Sequence, residues 1–212
     1  MGILMPPPYK NDTSLKGYWK FDETSGTLAD SSGNGNTGTV YGSPMYGIQG
    51  IFGTSIYLNG TDSYVSFNAV NPGNIISVAV WVYYISGEST IISQNPGGSM
   101  FNISGTSFVN WVDTDSIPGI INIGDVYNKW IHLAWTTNLT TGTTDLYKNG
   151  TFFASNTSNM LSPSTHNWVA IGRYAGGNRY YKGYIDDLRW YARALTASEI
   201  YVQYMAGRRR TQ

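Results

Sequence analysis

Alternation of apolar and polar residues dominates this chain, and short alternating stretches are separated by clusters of Gly, Asn, Asp and Ser. This arrangement is typical of antiparallel strands joined by turns. The first stretch places Trp19 and Phe21 on one face and Tyr18 and Lys20 on the other, which predicts a half-buried strand. In residues 76–84 both faces are apolar. This stretch is therefore predicted to be a central strand that is covered on both sides.

Later segments continue the β pattern. Residues 145–154 predict a hairpin, because Asn149 and Gly150 both accept the positive φ values of a type I′ turn. The remaining strands are predicted at residues 107–113, 130–137, 168–174 and 181–191.

One helix is predicted near the C-terminus. Thr196 can cap its first turn, and Glu199 follows three residues later, as in a capping box. Gly207 is predicted to end the helix. About twelve strands with one short C-terminal helix predict an all-β fold in which two antiparallel sheets pack face to face.

The pattern predicts one domain with two short extensions. Residues 1–14 are predicted to be an extended arm, because the run of prolines from Pro6 to Pro8 cannot enter the interior of a sheet. Residues 15–206 form the predicted domain, without an internal repeat, and residues 207–212 form a basic tail with three arginines.

Composition narrows the possible partners. Charged residues make up only 12% of the chain and the net charge is zero, so the sequence does not favour nucleic-acid binding, which needs clustered Lys and Arg. The absence of cysteine excludes disulfides, a thiolate nucleophile and a cysteine metal site. No apolar run approaches the roughly 18 residues of a membrane span. The start of the chain lacks the basic and apolar regions of a secretory signal.

The segment from Lys182 to Ile200 reads KGYIDDLRWYARALTASEI. It resembles the closing strand and helix of the laminin-G-like, pentraxin-like branch of the concanavalin A-like lectin/glucanase superfamily. Three upstream segments resemble the same family in the same order. These segments are residues 17–23 with 30–38, residues 58–65, and residues 130–135 with 146–150. The resemblance implies a two-sheet jelly-roll sandwich.

The same superfamily contains glucanases, which carry paired carboxylates on one strand as Glu-x-Asp-x-x-Glu or a close variant. That spacing is absent here, and the glutamates Glu23, Glu88 and Glu199 stand alone. Asp113 and Asp115 share one side of an extended segment but lack a third acid. The two histidines also indicate no nucleophilic triad, because His132 is expected to pack within a strand and His166 to be solvated. We therefore expect no enzyme activity, and glycoside hydrolysis is the least favoured function.

The resemblance also implies a structural calcium ion that joins the first strand and its loop to the last strand. By position the matching residues are Asp22, Asn36 and Asp186. The alternative is that Asp30 and the asparagines after it only make a tight turn, and that Asp186 pairs with Arg189 or caps backbone amides.

The loop at residues 173–181 is the richest candidate for sugar binding, because it combines aromatic and polar side chains around a Gly-Gly pair. The predicted ligand-binding residues are Arg173, Tyr174, Asn178, Arg179 and Tyr180, with the loops at residues 94–98 and 113–119 beside them. The alternative is an ordinary β surface, since the chain has 17 tyrosines.

These observations predict a non-catalytic, lectin-like module that recognises carbohydrate or a cell-surface glycan, at an extracellular location or on a virion surface. The alternative is a structural, decoration or spike subunit of a virus particle. In that case the N-terminal arm and the basic tail would contact other copies or capsid partners.

Overall fold

In the computed structural model, the described residues are 12–68, 73–95, 99–104, 107–109, 120–122, 124–157, 168–174 and 177–209. They form fifteen strands and one helix. The strands are β1 (Leu15–Trp19), β2 (Thr39–Tyr41), β3 (Met45–Gln49), β4 (Thr54–Asn59), β5 (Tyr64–Asn68), β6 (Ile75–Tyr84), β7 (Glu88–Asn95), β8 (Ser99–Ser104), β9 (Ser107–Val109), β10 (Ile120–Asn122), β11 (Trp130–Asn138), β12 (Thr143–Lys148), β13 (Thr151–Thr157), β14 (Trp168–Ile171) and β15 (Lys182–Tyr191). The helix is α1 (Ala197–Arg208). The prediction of about twelve strands was too low, because strands of three residues such as β2, β9 and β10 are too short to show a period-two pattern.

Two antiparallel sheets make up the sandwich, which confirms the predicted fold class. The larger sheet has the order β13-β12-β11-β6-β15-β4-β3, and β1 pairs with the second half of β15. The smaller sheet has the order β10-β9-β8-β7-β14-β5-β2. The main core lies between the two sheets. It includes the fully buried side chains of Trp135 and Trp190 from the larger sheet and of Phe101 from the smaller sheet.

Strand β6 occupies the centre of the larger sheet, between β11 and β15, as predicted. Val78, Val80 and Val82 belong to the main core between the sheets. Because side chains alternate along a strand, Ala79 and Trp81 lie on the opposite face. They are 1% and 3% exposed, so both faces of β6 are covered.

The first strand ends earlier than its alternating pattern predicted. Trp19 is the last residue of β1, and Phe21 lies beyond the strand with φ +59°. Both side chains are nevertheless 1% exposed. The burial pattern was therefore right and the strand bounds were wrong, because an alternating pattern records side-chain burial and not backbone pairing.

The predicted hairpin and helix cap are both confirmed. Asn149 and Gly150 join β12 to β13 with φ values of 50° and 76°. Thr196 accepts a hydrogen bond from the backbone N–H of Glu199, and the Glu199 carboxylate accepts one from the backbone N–H of Thr196, which completes a capping box.

Gly207 was predicted to end α1, but the helix continues to Arg208. The glycine is buried, and a Cβ atom at this position would overlap the indole of Trp81 and the side chain of Ile51. The glycine at position 207 is therefore explained by its close packing against Trp81 and Ile51 and not by the end of the helix. Gly207 lets the last turn of α1 lie directly on the larger sheet.

Arg193 connects the start of α1 to the segment before β1. Its guanidinium donates hydrogen bonds to Asp12 at 2.8 Å and to Glu199 at 2.7 Å, and its Nε donates to Ser14 at 3.0 Å. The hydrogen bond from Arg193 is the main reason that the pKa of Glu199 lies below its usual value. Residues 12–14, the last part of the predicted arm, are therefore attached to the domain.

Candidate functional site

The loop between β14 and β15 has a fixed base. The backbone N–H of Tyr181 donates to the carbonyl of Gly172 at 2.8 Å, and the N–H of Gly172 donates to Ile91 on β7 at 2.9 Å. The Ser93 hydroxyl donates to the carbonyl of Arg173 at 2.7 Å. Gly172 has φ 85°, and a Cβ there would overlap Leu58. Only glycine therefore suits the entry to this loop.

Within this loop, backbone hydrogen bonds bring the five predicted ligand-binding residues together. The N–H of Tyr174 donates to the carbonyl of Asn178 at 3.2 Å, and the N–H of Gly177 donates to the carbonyl of Tyr174 at 3.0 Å. Arg179 has φ 59°, and its guanidinium lies 5.5 Å from the centre of the Tyr174 ring. Residues 175 and 176 lie outside the described residues, as do residues 96–98 and 113–119 of the flanking loops.

Two further tyrosines, which the sequence analysis missed, join this loop from the smaller sheet. Tyr41 on β2 and Tyr64 on β5 are register partners, and their rings stack at 4.7 Å with an interplanar angle of 6°. The Arg173 guanidinium lies 4.6 Å from the centre of the Tyr64 ring, and the Tyr180 ring lies 6.4 Å from it. We call the whole set the tyrosine–arginine cluster: Tyr41, Tyr64, Arg173, Tyr174, Arg179 and Tyr180.

A signal for these two tyrosines was present in the sequence. Val40 packs against the core and Val65 lies within it, so the adjacent Tyr41 and Tyr64 face outward by alternation. Their pairing depends on the register of β2 with β5, which no local pattern reveals.

Aromatic faces beside hydrogen-bond donors are the ordinary means by which proteins hold sugars and other polar ring compounds. Tyr41 is 44% exposed and provides an accessible aromatic face. An arginine that stacks on a tyrosine keeps the N–H groups at the edge of its guanidinium plane available to donate. The cluster can therefore bind a ligand through ring stacking and directed hydrogen bonds at the same time.

Two of the three predicted calcium ligands, Asp22 and Asp186, accept hydrogen bonds from the same loop, residues 50–54, between β3 and β4. Oδ2 of Asp186 accepts hydrogen bonds from the backbone N–H groups of Ile51 at 2.7 Å and Phe52 at 2.8 Å. Oδ1 of Asp22 accepts one from the N–H of Thr54 at 2.8 Å. Asp186 therefore caps backbone amides, which was the alternative weighed above, and Arg189 pairs instead with Asp187.

The second oxygen of Asp186 tests whether these residues fit a cation. Asp186 Oδ1 is buried and has no hydrogen-bond partner among the residues that the structure describes. Burial, followed by the negative charges of Asp187 and Asp22, raises the pKa of Asp186 to about 8 against the two backbone hydrogen bonds. An unpartnered carboxylate oxygen with a second carboxylate nearby fits a divalent cation. Such an ion would give the buried oxygen a partner and would reduce the repulsion between the negative charges.

Asn36, the third predicted ligand, makes its contacts in another loop. Its side-chain Nδ2 donates to the backbone carbonyl of Lys16 at 2.7 Å, and its own backbone carbonyl accepts from the Trp19 indole at 2.8 Å. Its backbone N–H donates to Asp30, as expected for the tight-turn alternative. No group of three or more His, Asp or Glu side chains suited to a metal ion occurs in the described part of the chain.

The acidic and basic residues considered for catalysis have structural contacts where they are described. Glu199 caps α1, and Oε1 of Glu23 accepts a hydrogen bond from the backbone N–H of Ala29 at 2.8 Å. His132 is 1% exposed, and burial lowers its pKa to about 3, so it is a packed and neutral sheet residue as expected. Asp113, Asp115 and His166 lie outside the described residues.

A family model of the concanavalin A-like lectin/glucanase superfamily matches residues 59–201. The chain belongs to this superfamily. Among curated proteins none matches the sequence. No helix in the described residues of this concanavalin A-like chain is long and apolar enough to cross a membrane.

Solved structures with a similar fold include receptor-binding domains of botulinum neurotoxins. The binding domain of neurotoxin DC in complex with SialylT has a TM-score of 0.73 and 19% identity, over 93% of this chain and 52% of that chain. The same domain in complex with rat synaptotagmin II gives a TM-score of 0.72 and 19% identity, over 92% and 52%. A structure from a study of neurotoxin type C and two ganglioside molecules gives a TM-score of 0.71 and 18% identity, over 92% and 51%. This chain therefore spans about half the length of these neighbours, with which it shares the concanavalin A-like fold.

Proposed function

We propose that this protein is a non-catalytic binding module that recognises carbohydrate at an extracellular location through the tyrosine–arginine cluster. The observation that carries the proposal is the stacked pair Tyr41 and Tyr64 with Arg173 over the second ring, at 4.6 Å. Stacked aromatic faces bind the apolar face of a sugar ring, and the arginines donate to its hydroxyl groups.

Two further points support this proposal. The superfamily includes lectins, and the similar solved structures are binding domains, one of them in complex with SialylT. Of the carboxylates considered for catalysis, Glu199 caps α1 and Glu23 accepts a hydrogen bond from the backbone, which leaves the cluster as the richer candidate for a ligand.

We expect Tyr64→Ala and Arg173→Ala to weaken glycan binding at least about tenfold, equivalent to about 1.4 kcal/mol. Each substitution removes one partner of the contact between Arg173 and the Tyr64 ring while leaving the main core intact. A glycan array identifies a ligand for the wild-type protein, and isothermal titration then measures its dissociation constant for each variant. Tyr201→Ala is the matched control, because Tyr201 is 50% exposed and lies on α1 outside the cluster.

Full affinity in both cluster variants would contradict the site, whereas a wild-type protein that binds no glycan would contradict the function itself. The second outcome would favour the alternative of an assembly subunit of a virus particle.

We further propose that Asp22 and Asp186 hold a structural calcium ion, whereas Asn36 is engaged in the turn at Asp30. The unpartnered Oδ1 of Asp186 and the hydrogen bonds that both carboxylates accept from residues 51–54 support this proposal. When bound, the ion would supply positive charge to two carboxylates that otherwise repel each other. Asp22 and Asp186 would keep their hydrogen bonds to the loop and so join the first strand to the last.

Calcium is expected to raise the melting temperature of the wild-type protein by several degrees over its value with a chelator. A ligand at a hundred times its dissociation constant adds about 2.7 kcal/mol, and each kcal/mol is worth roughly 2–4 °C in a domain of this size. Asp186→Asn should remove most of this difference, whereas Asp145→Asn on β12, which also removes one negative charge, should retain it. Identical melting curves with calcium and with chelator would rule out the ion.

A further inference from the structure

A row of four aromatic side chains crosses the outer face of the larger sheet. Tyr184 on β15 is the register partner of Tyr57 on β4 and of Tyr83 on β6, and Tyr83 is the partner of Trp130 on β11. Successive ring centres lie 5.0 Å, 5.4 Å and 5.8 Å apart along the row. All four side chains are partly exposed.

The row faces away from the main core, because the residues beside it in sequence belong to that core. Ile56, Ile185, Val82 and Ile131 are buried between the sheets. Packing in the core explains why these four residues are apolar. It does not explain why four adjacent strands each carry an aromatic residue on the opposite face. Large aromatic residues on an outer sheet face are a common feature of binding surfaces.

Helix α1 covers the neighbouring part of this face. A cavity forms between the helix and one end of the row, at Tyr83 and Trp130. The Tyr204 ring stacks on Trp81 at 5.8 Å with an interplanar angle of 25°. Gly207 allows the last turn of α1 to approach the Trp81 indole. Beyond this contact a cavity of about 300 Å³ opens, with Trp81, Tyr83, Trp130 and Tyr204 as its aromatic lining. This volume is at the lower end of the range for small-ligand sites.

Polar groups in the same cavity are held in defined orientations. Oδ1 of Asn149 accepts a hydrogen bond from the backbone N–H of His132 at 3.0 Å. This bond fixes the orientation of the amide and leaves its N–H₂ group to donate to another acceptor. Trp81 is 3% exposed, and its Nε1 donor is buried without a partner within the described part of the chain. A buried donor of this kind costs about 1–3 kcal/mol unless an acceptor reaches it. Because Nε1 is closed off from the cavity, the Asn149 amide is the donor that a ligand can reach.

The charges of the lining select among ligands. Lys129 and Arg208 contribute to the wall, and no Asp or Glu side chain does so among the described residues, although Lys129 also forms a solvent-exposed ion pair with Asp125 at 2.7 Å. Four aromatic rings alone would suit a quaternary ammonium group. Two cationic side chains in the wall oppose such a ligand and favour one that carries negative charge.

We propose that this cavity is a second binding site, and that it takes an acidic saccharide. The sugar ring stacks on Trp130 and Tyr83, its carboxylate lies toward Lys129 and Arg208, and the Asn149 amide donates to its oxygens. The site is on the larger sheet and shares no residue with the tyrosine–arginine cluster, which belongs to the smaller sheet and the 173–181 loop. The proposal therefore does not depend on the function proposed above.

The test uses the full chain and three acidic probes: trigalacturonate, a glucuronate disaccharide and sialyllactose. Trigalactose, cellobiose and lactose are their neutral counterparts, and choline is the cationic probe. Isothermal titration and quenching of tryptophan fluorescence measure binding. We expect at least one acidic probe to bind at least about tenfold more tightly than its neutral counterpart, a difference of about 1.4 kcal/mol.

Variants then place the ligand. Trp130→Ala should abolish measurable binding of that probe, and Lys129→Gln with Arg208→Gln should remove the preference for the acidic form. Tyr64→Ala in the tyrosine–arginine cluster should leave this binding unaltered. The proposal is overturned if no acidic probe binds, if choline binds instead, or if the charge substitutions leave the preference intact. Loss of binding in Tyr64→Ala but not in Trp130→Ala would assign the acidic sugar to the cluster and also overturn it.

Discussion

Replacing Asp187 with alanine is expected to lower the free energy of unfolding by about 3–5 kcal/mol, the usual cost of removing one partner of a buried ion pair. Its Oδ1 accepts a hydrogen bond from the Arg189 guanidinium at 3.0 Å, and the two side chains are only 5% and 11% exposed. The guanidinium also lies 4.7 Å from the centre of the Tyr18 ring. Burial acts against the Arg189 cation, but the Asp187 carboxylate together with Tyr18 and Tyr191 outweighs burial and raises the pKa of Arg189. The loss should lower the melting temperature by at least about 6 °C.

Two companion variants separate charge from shape at this position. Asp187 has φ 50°, a value that asparagine also tolerates well, so Asp187→Asn should lose less stability than Asp187→Ala. Adding Arg189→Met to Asp187→Ala removes the unpaired cation and should restore part of the stability. A double variant as unstable as Asp187→Ala alone would show that an unpaired charge is not the cause.

Gly183→Ala is expected to lower the free energy of unfolding by about 3 kcal/mol or more. Gly183 has φ 152°, which side chains rarely adopt, and an added Cβ would overlap the backbone oxygen of Tyr83. Backbone strain and overpacking each cost about 1–3 kcal/mol. Because β15 is paired on both sides here, with Leu58 and Tyr84 as partners, the backbone has little room to move. Chemical denaturation with an unchanged m-value measures the loss.

Gly47→Ala is the matched control, because Gly47 also lies in a strand of the larger sheet. It has φ 70°, but no atom lies within 4 Å of its added Cβ. It should therefore cost only the backbone term, about 1–2 kcal/mol. Equal losses in the two variants would show that the overlap with Tyr83 has no effect.

The sequence predicted those features of the fold that depend on neighbouring residues. The capping box of Thr196 and Glu199 and the turn at Asn149 and Gly150 each need only a few consecutive positions, and both are present. Gly207 was misread because the partner that explains it, Trp81, is distant in sequence.

The same distinction applies to the sites. The five predicted residues of the 173–181 loop lie together because they are consecutive in the chain. Tyr41 and Tyr64 join them only through the pairing of β2 with β5. The aromatic row is still less visible, since it draws one residue from each of four strands whose order in the sheet is β11-β6-β15-β4. Surfaces of this kind require strand order, which hydrophobic periodicity does not contain.

The pairing of the first strand with the last also has a kinetic consequence. Leu15 on β1 is the register partner of Tyr191 on β15, and β15 in turn lies beside β6 at the centre of the larger sheet. During synthesis on the ribosome, β15 emerges after all the other strands of this sheet, so β4 and β6 spend that time without the strand that pairs with both of them. Contacts between distant parts of a chain slow folding, and unpaired strand edges invite aggregation while they persist. Refolding in milliseconds to seconds, with a yield that falls as protein concentration rises, is the behaviour that this connectivity implies.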